Sequence, residues 1–267
     1  MIKDPQARIS QKKSWKDYCL FSLESPQVAR EAHPGQFLMV KVSEDHPYPL
    51  LRRPLSIHGL DKKALEIFFK VAGTGTALLA QKKVGESLDI LGPLGKGFRL
   101  DESLKGKNLF AVGGGRGIAP LYFLAQELRS LGASTKIFYG GQTHEGLPLR
   151  GEFEKGGINT AYSTDDGSFG FKGLVTRLLE AELRKMVPDK IYACGPEAML
   201  EKIARISKKL NIPAEFSLES LMGCGFGACW GCVKRIKKGE KEGWLKVCEE
   251  GPVFSADEII WPRGEEK

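Results

Sequence analysis

The sequence predicts a β-barrel followed by an α/β unit with a parallel sheet, closed by a small cysteine-rich segment. Three observations carry this expectation. Short β-favouring runs bounded by turn residues fill the first hundred residues, and strands alternate with helices after that. Beyond Pro213 regular periodicity fades, and glycine and cysteine take over. The expected division is 1–102, 103–212 and 213–267, and 267 residues suffice for two or three compact units.

In the first part, Gln36 to Val42 and Leu65 to Val71 read as strands. Pro34-Gly35 introduces the former, and Leu91-Gly92-Pro93-Leu94-Gly95 closes the region. After Lys105-Gly106-Lys107 the pattern changes. Asn108 to Val112 is a buried strand, Pro120 to Leu131 a helix and Thr135 to Tyr139 a strand. Leu174 to Met186 reads as a helix, Lys190 to Cys194 as a strand and Glu197 to Leu210 as a helix. Such alternation implies a parallel sheet with helices on its faces.

The net charge is +7, but the basic residues are dispersed, with one short run from Lys234 to Lys238. A nucleic-acid binder concentrates them on one face with aromatics between, so no nucleic-acid partner is expected. No apolar run approaches the ~20 residues needed to cross a bilayer, and Met1-Ile2-Lys3-Asp4-Pro5 lacks a signal-peptide core. The expectation is a cytoplasmic protein with no membrane partner.

Cys224, Cys229, Cys232 and Cys248 are spaced Cys-x4-Cys-x2-Cys with a fourth cysteine 16 positions on. That order is the plant-type spacing for a [2Fe–2S] cluster, in which two irons each take two thiolates. Gly223, Gly225, Gly227 and Gly231 let the loop wrap closely and aim backbone N–H groups at sulfur. A zinc site is the structural rival, but zinc ribbons favour two Cys-x2-Cys knuckles and only one x2 pair exists here. Cys19 reads as a small buried hydrophobe.

Four further segments suit a phosphate or line its crevice. Gly113-Gly114-Gly115-Arg116-Gly117 follows a strand and opens a helix, the context for a pyrophosphate at a helix N-terminus. Its strict Rossmann frame is not met, and a plain tight turn stays open. Cys194-Gly195-Pro196 ends a second strand, so both turns mark one crevice; Cys194 either approaches a reactive ring there or packs beneath it. Arg52-Arg53-Pro54-Leu55-Ser56 offers a guanidinium fork and a hydroxyl. Gly73-Thr74-Gly75-Thr76 precedes a helical run from Ala77 to Lys82, with Thr76 the expected N-cap.

These motifs, in this order, resemble the ferredoxin–NADP reductase superfamily. More closely, the chain is similar to electron-transfer subunits of class 1B dihydroorotate dehydrogenase, through Pro34-Gly35-Gln36-Phe37, Leu51 to Ile57, the Gly113 turn, Cys194-Gly195-Pro196, the four cluster cysteines and Cys248 to Phe254. The resemblance implies FAD held by Arg53, Pro54, Leu55 and Ser56, with Phe69, Lys70 and Val71 lining the isoalloxazine and Gly75 and Thr76 at the pyrophosphate. It implies NAD(H) at Gly113, Gly114, Gly115, Gly117, Cys194, Gly195 and Pro196. It also implies an FMN-containing dihydroorotate dehydrogenase catalytic subunit as partner, in a heterotetramer of two of each, serving pyrimidine biosynthesis.

A related group, NADH-dependent ferredoxin:NADP oxidoreductases and sulfide dehydrogenases, shares much of the pattern. The full set of four cysteines favours the dihydroorotate group, while Thr164 to Ser168 and Phe169 to Gly173 look as close to the other. A non-enzymatic zinc-binding interaction protein is the remoter alternative. No basic residue follows Tyr139 until Arg150, apart from His144, which points to NAD(H) rather than NADP(H). Hydride transfer needs no general acid or base, and His33, His46, His58 and His144 read as structural or exposed.

Overall fold

The computed structural model describes residues 1–43, 48–61, 64–239 and 241–261. The N-terminal part contains β1 (Ile2–Trp15), β2 (Tyr18–Glu24), α1 (Pro26–Glu31), β3 (Phe37–Val40), β4 (Arg53–Asp61), β5 (Ala64–Lys70), α2 (Thr74–Gln81) and β6 (Ser87–Leu94). Its strands close in the order β1-β2-β5-β4-β3-β6, which abolishes free edges. Period-two alternation decides what fills it. Phe21, Leu55, Ile57, Ile67 and Phe69 form the barrel interior, while Tyr18, Leu20 and Phe68 face outward and pack beneath the following unit.

That unit is built on β7 (Asn108–Gly114), α3 (Ala119–Ser130), β8 (Ser134–Gly141), α4 (Arg150–Lys155), β9 (Thr160–Thr164), β10 (Phe171–Lys172), α5 (Val175–Leu183), β11 (Lys190–Cys194), α6 (Glu197–Leu210) and β12 (Ala214–Ser217). A hairpin of β13 (Val233–Lys238) and β14 (Lys241–Lys246) follows, and then β15 (Val253–Ser255). The seven-stranded sheet runs β10-β9-β8-β7-β11-β12-β15. All its pairs are parallel except that of β12 with β15. The order reverses at β7, which lies between β8 and β11, so the carboxyl ends of β7 and β11 open a crevice.

The expected boundary between residues 212 and 213 cuts through this sheet. Both β12 and β15 extend it, so the cysteine-rich segment enters and leaves through the α/β unit. Pro213 ends the helical pattern rather than the sheet, and strands of four and three residues are too short to show a period. Among the described residues, no helix is long and apolar enough to cross a membrane.

The barrel and the α/β unit meet where α3 lies on β4. There His58, only 1% exposed, stacks on Tyr122 with ring centroids 4.7 Å apart. Its Nδ1–H donates to the Ala119 carbonyl at 2.8 Å, while Nε2 has no hydrogen-bond partner among the described residues. Burial pushes the imidazole down to about 4 although the Ala119 carbonyl works the other way. His33 and His144 are exposed, and His46 lies outside the described residues.

Folded His58 stays neutral down to about pH 4, whereas in the unfolded chain it takes a proton near pH 6.5. Acid therefore favours the unfolded state between those limits, by up to roughly 3 kcal/mol. Denaturant titrations at pH 7 and 4.5 are expected to show His58→Gln losing less stability than the parent across this range. Equal losses would mean that His58 does not set the acid limit.

Candidate functional site

The crevice is built by two interlocking turns. Cys194 pairs with Gly113 in the sheet register, which brings the chain beyond each strand to the same point. A Cβ on Gly114 would lie 2.8 Å from the Met199 Sδ, and one on Gly117 would lie 2.5 Å from the Gly195 Cα. A Cβ on Gly195 (φ +154°) would meet the Gly114 N at 3.1 Å, and one on Gly113 would crowd Ile118 at 2.6 Å. Gly113, Gly114, Gly117 and Gly195 are thus small because protein packs against them. Gly115 (φ +54°) alone faces open space, so it is the position that an anion can approach.

Cys194 is 3% exposed beneath this crevice. Burial, reinforced by Glu219, pushes its thiol up to about 12 against a hydrogen bond with Ser217, so it is neutral at working pH. Pro196 is the N-cap of α6. Arg116, in the glycine turn, reaches Glu219 at 2.7 Å. Glu219, Gly195, Leu218, Lys234, Arg235 and Trp261 line a cleft of about 180 Å³ beside it. Farther along the sheet, the chain after β9 hydrogen-bonds to the chain after β8 (Asp165 N–H to the Gly141 carbonyl, 3.1 Å), and Arg150 lies over the Phe169 ring at 4.2 Å.

On the barrel, two adjacent arginines divide the labour. Arg52 is held by the Asp89 carboxylate at 2.6 Å and the Asp89 carbonyl at 2.8 Å. Arg53 instead lies against the first turn of α2, where a Cβ on Gly75 would come within 2.6 Å of its Nε. A guanidinium over a helix N-terminus is a cradle for a pyrophosphate, and only glycine leaves it room. Thr76 is not the N-cap. The helix begins two residues earlier, at Thr74, because the Thr76 hydroxyl reaches back to accept from the Ala72 N–H at 2.9 Å and the Gly73 N–H at 3.2 Å.

Arg53, Pro54, Ser56, Lys70 and Val71 are half-buried. Leu55 and Phe69 point into the barrel core and have only backbone to offer a ligand. Lys70 sits over the Tyr18 ring at 5.5 Å, and the Val71 N–H is taken by the Asp17 carbonyl.

The hairpin explains the gap between the third and fourth cluster cysteines. Cys232 precedes β13 and Cys248 follows β14, so closing the ladder brings their sulfurs to 3.2 Å. The Gly227 N–H donates to the Cys248 Sγ at 3.2 Å, from a glycine with φ +90°. Burial and then the Cys232 thiol push Cys248 up to about 12. In the other pair, burial alone would raise the Cys224 thiol. The N–H groups of Phe226, Cys229 and Ala228 and the Cys229 side chain outweigh it and bring Cys224 down to about 7.

No three His, Cys, Asp or Glu residues among those described converge as a single-ion site. The thiols are paired, Cys232 with Cys248 and Cys224 with Cys229, and backbone N–H groups reach them, an arrangement compatible with a binuclear iron–sulfur centre, which needs two thiolates per iron. The loop also touches the barrel: a Cβ on Gly225 would come within 2.7 Å of the Met39 Sδ, and Met39 pairs with Pro54.

Barrel, switch-point crevice and paired thiols define a ferredoxin-reductase-like oxidoreductase extended by an iron–sulfur segment. Residues 111–205 match the oxidoreductase NAD-binding domain, and residues 219–260 match the iron–sulfur cluster binding domain of dihydroorotate dehydrogenase B. The chain is 43% identical over 241 residues to the dihydroorotate dehydrogenase B (NAD(+)) electron transfer subunit of Bacillus caldolyticus, covering 90% of this chain and 91% of the relative. With that of Desulforamulus reducens it shares 38% over 240 residues, 89% and 90% of the two chains.

Among solved structures, an NADH-dependent reduced ferredoxin–NADP oxidoreductase superposes with a TM-score of 0.83 at 29% identity, over 97% of this chain and 91% of its own. The ferredoxin reductase of carbazole 1,9a-dioxygenase shares the fold, with a TM-score of 0.67 at 22% identity over 80% of this chain and 68% of its own. The chain belongs to the family of dihydroorotate dehydrogenase B electron transfer subunits. It is therefore a subunit that works with a catalytic partner.

The seat of Arg53 is testable. Gly75→Ala is expected to displace the guanidinium and lower FAD affinity about ten-fold, as an Arg–phosphate contact is lost. Fluorescence titration of flavin-depleted protein measures this, and unchanged affinity would remove Arg53 from the cradle.

Proposed function

We propose that this chain carries electrons between NAD(H), FAD and a [2Fe–2S] cluster, and that its partner is an FMN-containing subunit that oxidises dihydroorotate to orotate. Two copies of each chain would make the complex. The observation that carries the ordering is the contact of Gly225 with Met39. It sets the cysteine loop against the strand that pairs with Arg53 and Pro54, which supports a flavin standing between the nicotinamide crevice and the cluster.

FAD, when bound, exchanges a hydride with a nicotinamide and single electrons with an iron–sulfur centre. The chain's own residues hold, orient and exclude water. Arg53 and the α2 N-terminus would take the FAD pyrophosphate, with Thr76 fixing the turn. Pro54, Ser56, Lys70 and Val71 would bound the ring system, with Leu55 and Phe69 supporting from within the barrel. Gly115 opens the turn to the dinucleotide while Gly113, Gly114, Gly117, Cys194, Gly195 and Pro196 keep the two turns together. Cys224 with Cys229, and Cys232 with Cys248, would each bind one iron. Folded this way, residues 1–102 serve the flavin, 103–212 the nicotinamide and most of 213–267 the cluster.

The cluster loop also suits a partner. Leu221 is 89% exposed, and Phe226 and Trp230 are exposed beside Cys224 and Cys229. Apolar side chains grouped in this way on a surface mark an interface.

Two substitutions test the scheme. Cys229→Ser is expected to abolish the cluster's paramagnetic signal while FAD content and NADH-driven dye reduction persist. Loss of dye reduction with FAD still bound would contradict the order of the carriers. Leu221→Glu combined with Trp230→Glu is expected to prevent co-purification with the catalytic subunit while leaving dye reduction intact. Undiminished co-purification would move the interface elsewhere.

A further inference from the structure

Arg116 is placed where a plain glycine turn has no cation. It lies between Gly115, whose outer side is open, and Gly117, which is pressed against Gly195. Its Nη2 is 2.7 Å from the Glu219 Oε2, and its Nε is 3.3 and 3.4 Å from the two carboxylate oxygens. Both side chains are about half exposed, at 56% and 45%. Glu219 comes from a different part of the chain, two residues beyond β12 and five before Cys224. One ion pair therefore ties the nucleotide turn to the segment that leads into the cluster loop.

An exposed ion pair of this kind is worth little, because water and salt screen it. A guanidinium binds a phosphate more strongly, through two parallel charge-assisted bonds, and backbone N–H groups of a glycine turn favour an anion as well. Within reach of the same crevice are Lys70 and Tyr18 on the barrel and the neutral thiol of Cys194. Two further carboxylates stand nearby, Glu197 in the cleft lining, which Lys234 holds at 3.1 Å, and Asp17 beside Tyr18, but Glu219 is the one that Arg116 holds.

We propose that Arg116 is a pyrophosphate ligand held in reserve by Glu219, and that dinucleotide binding exchanges the carboxylate for phosphate. This rests on the crevice being the NAD(H) site. Arg116 positions the dinucleotide and takes no part in hydride transfer. The exchange frees Glu219 on the cluster side, so nucleotide occupancy is coupled to the segment entering the cluster loop. Coupling of this kind is reciprocal, and whatever draws Glu219 away from Arg116 tightens the nucleotide.

The test is titration calorimetry with ADP-ribose, which carries the pyrophosphate without the nicotinamide, on the full-length cofactor-loaded chain. Arg116→Ala is expected to weaken binding by roughly ten- to a hundred-fold, with flavin and iron content unchanged. Glu219→Gln is expected to tighten it, by up to about five-fold. That gain in affinity is a readout that a merely structural pair would not produce. Unchanged affinity in Arg116→Ala, or weaker binding in Glu219→Gln, overturns the inference while leaving the NAD(H) site in place. Loss of FAD rather than of ADP-ribose affinity in Arg116→Ala also overturns it. If the parent chain binds no ADP-ribose, the crevice reading fails with it.

Discussion

The backbone from Gly251 to Val253 holds the three parts of this molecule in one arrangement. The Lys96 N–H donates to the Gly251 carbonyl at 2.5 Å, which fastens it to the barrel, and the Leu218 N–H donates to the Pro252 carbonyl at 2.9 Å, which fastens it to the sheet. Cys248 lies just upstream, so the buried thiol pair hangs from the same strap. Gly95 (φ +77°) and Gly35 (φ +92°) are required here, because a Cβ on them would meet Pro252 at 2.6 Å and Val253 at 2.9 Å. With the packing of α3 on β4 and of Gly225 on Met39, these contacts fix the barrel, the α/β unit and the cysteine loop relative to one another.

Within that frame, charge is distributed so that cations remain available. Arg52 is consumed by Asp89 inside the barrel, and its neighbour Arg53 is left for the α2 cradle. Arg116 has only a solvent-exposed partner. Backbone N–H groups do comparable work for the thiols, lowering Cys224 where the loop is open and leaving Cys248 protonated where it is buried. A metal taken up at the buried pair would have to displace a proton, which would make cluster assembly pH-dependent.

Much of this was legible in the sequence, for identifiable reasons. The cysteine spacing reflects a loop and a hairpin, and it is local enough to read directly. The Gly113 and Cys194 turns end buried apolar strands of seven and five residues, and α6 spans Glu197–Leu210 as its pattern predicts. Facing was harder. Leu55 and Phe69 sit inside motifs that look uniformly ligand-directed, and only the barrel's alternation reveals that they point inward. Thr76 failed as a cap because it is the third residue of the helix, and its hydroxyl accepts from the N–H groups of Ala72 and Gly73 ahead of it rather than from the turn that follows. Three-residue β15 and the pairing of Arg116 with Glu219 depend on contacts distant in sequence. No local pattern encodes them.

The central claim is that nicotinamide, flavin and cluster form one conducting series inside this chain. Paramagnetic resonance of the full-length protein, reduced anaerobically with NADH alone and paired with metal and flavin analysis, tests it most directly. The account predicts about two irons and about one FAD per chain, with a reduced [2Fe–2S] signal that grows on adding NADH. Zinc in place of iron, or a cluster that dithionite reduces but NADH does not, would contradict it.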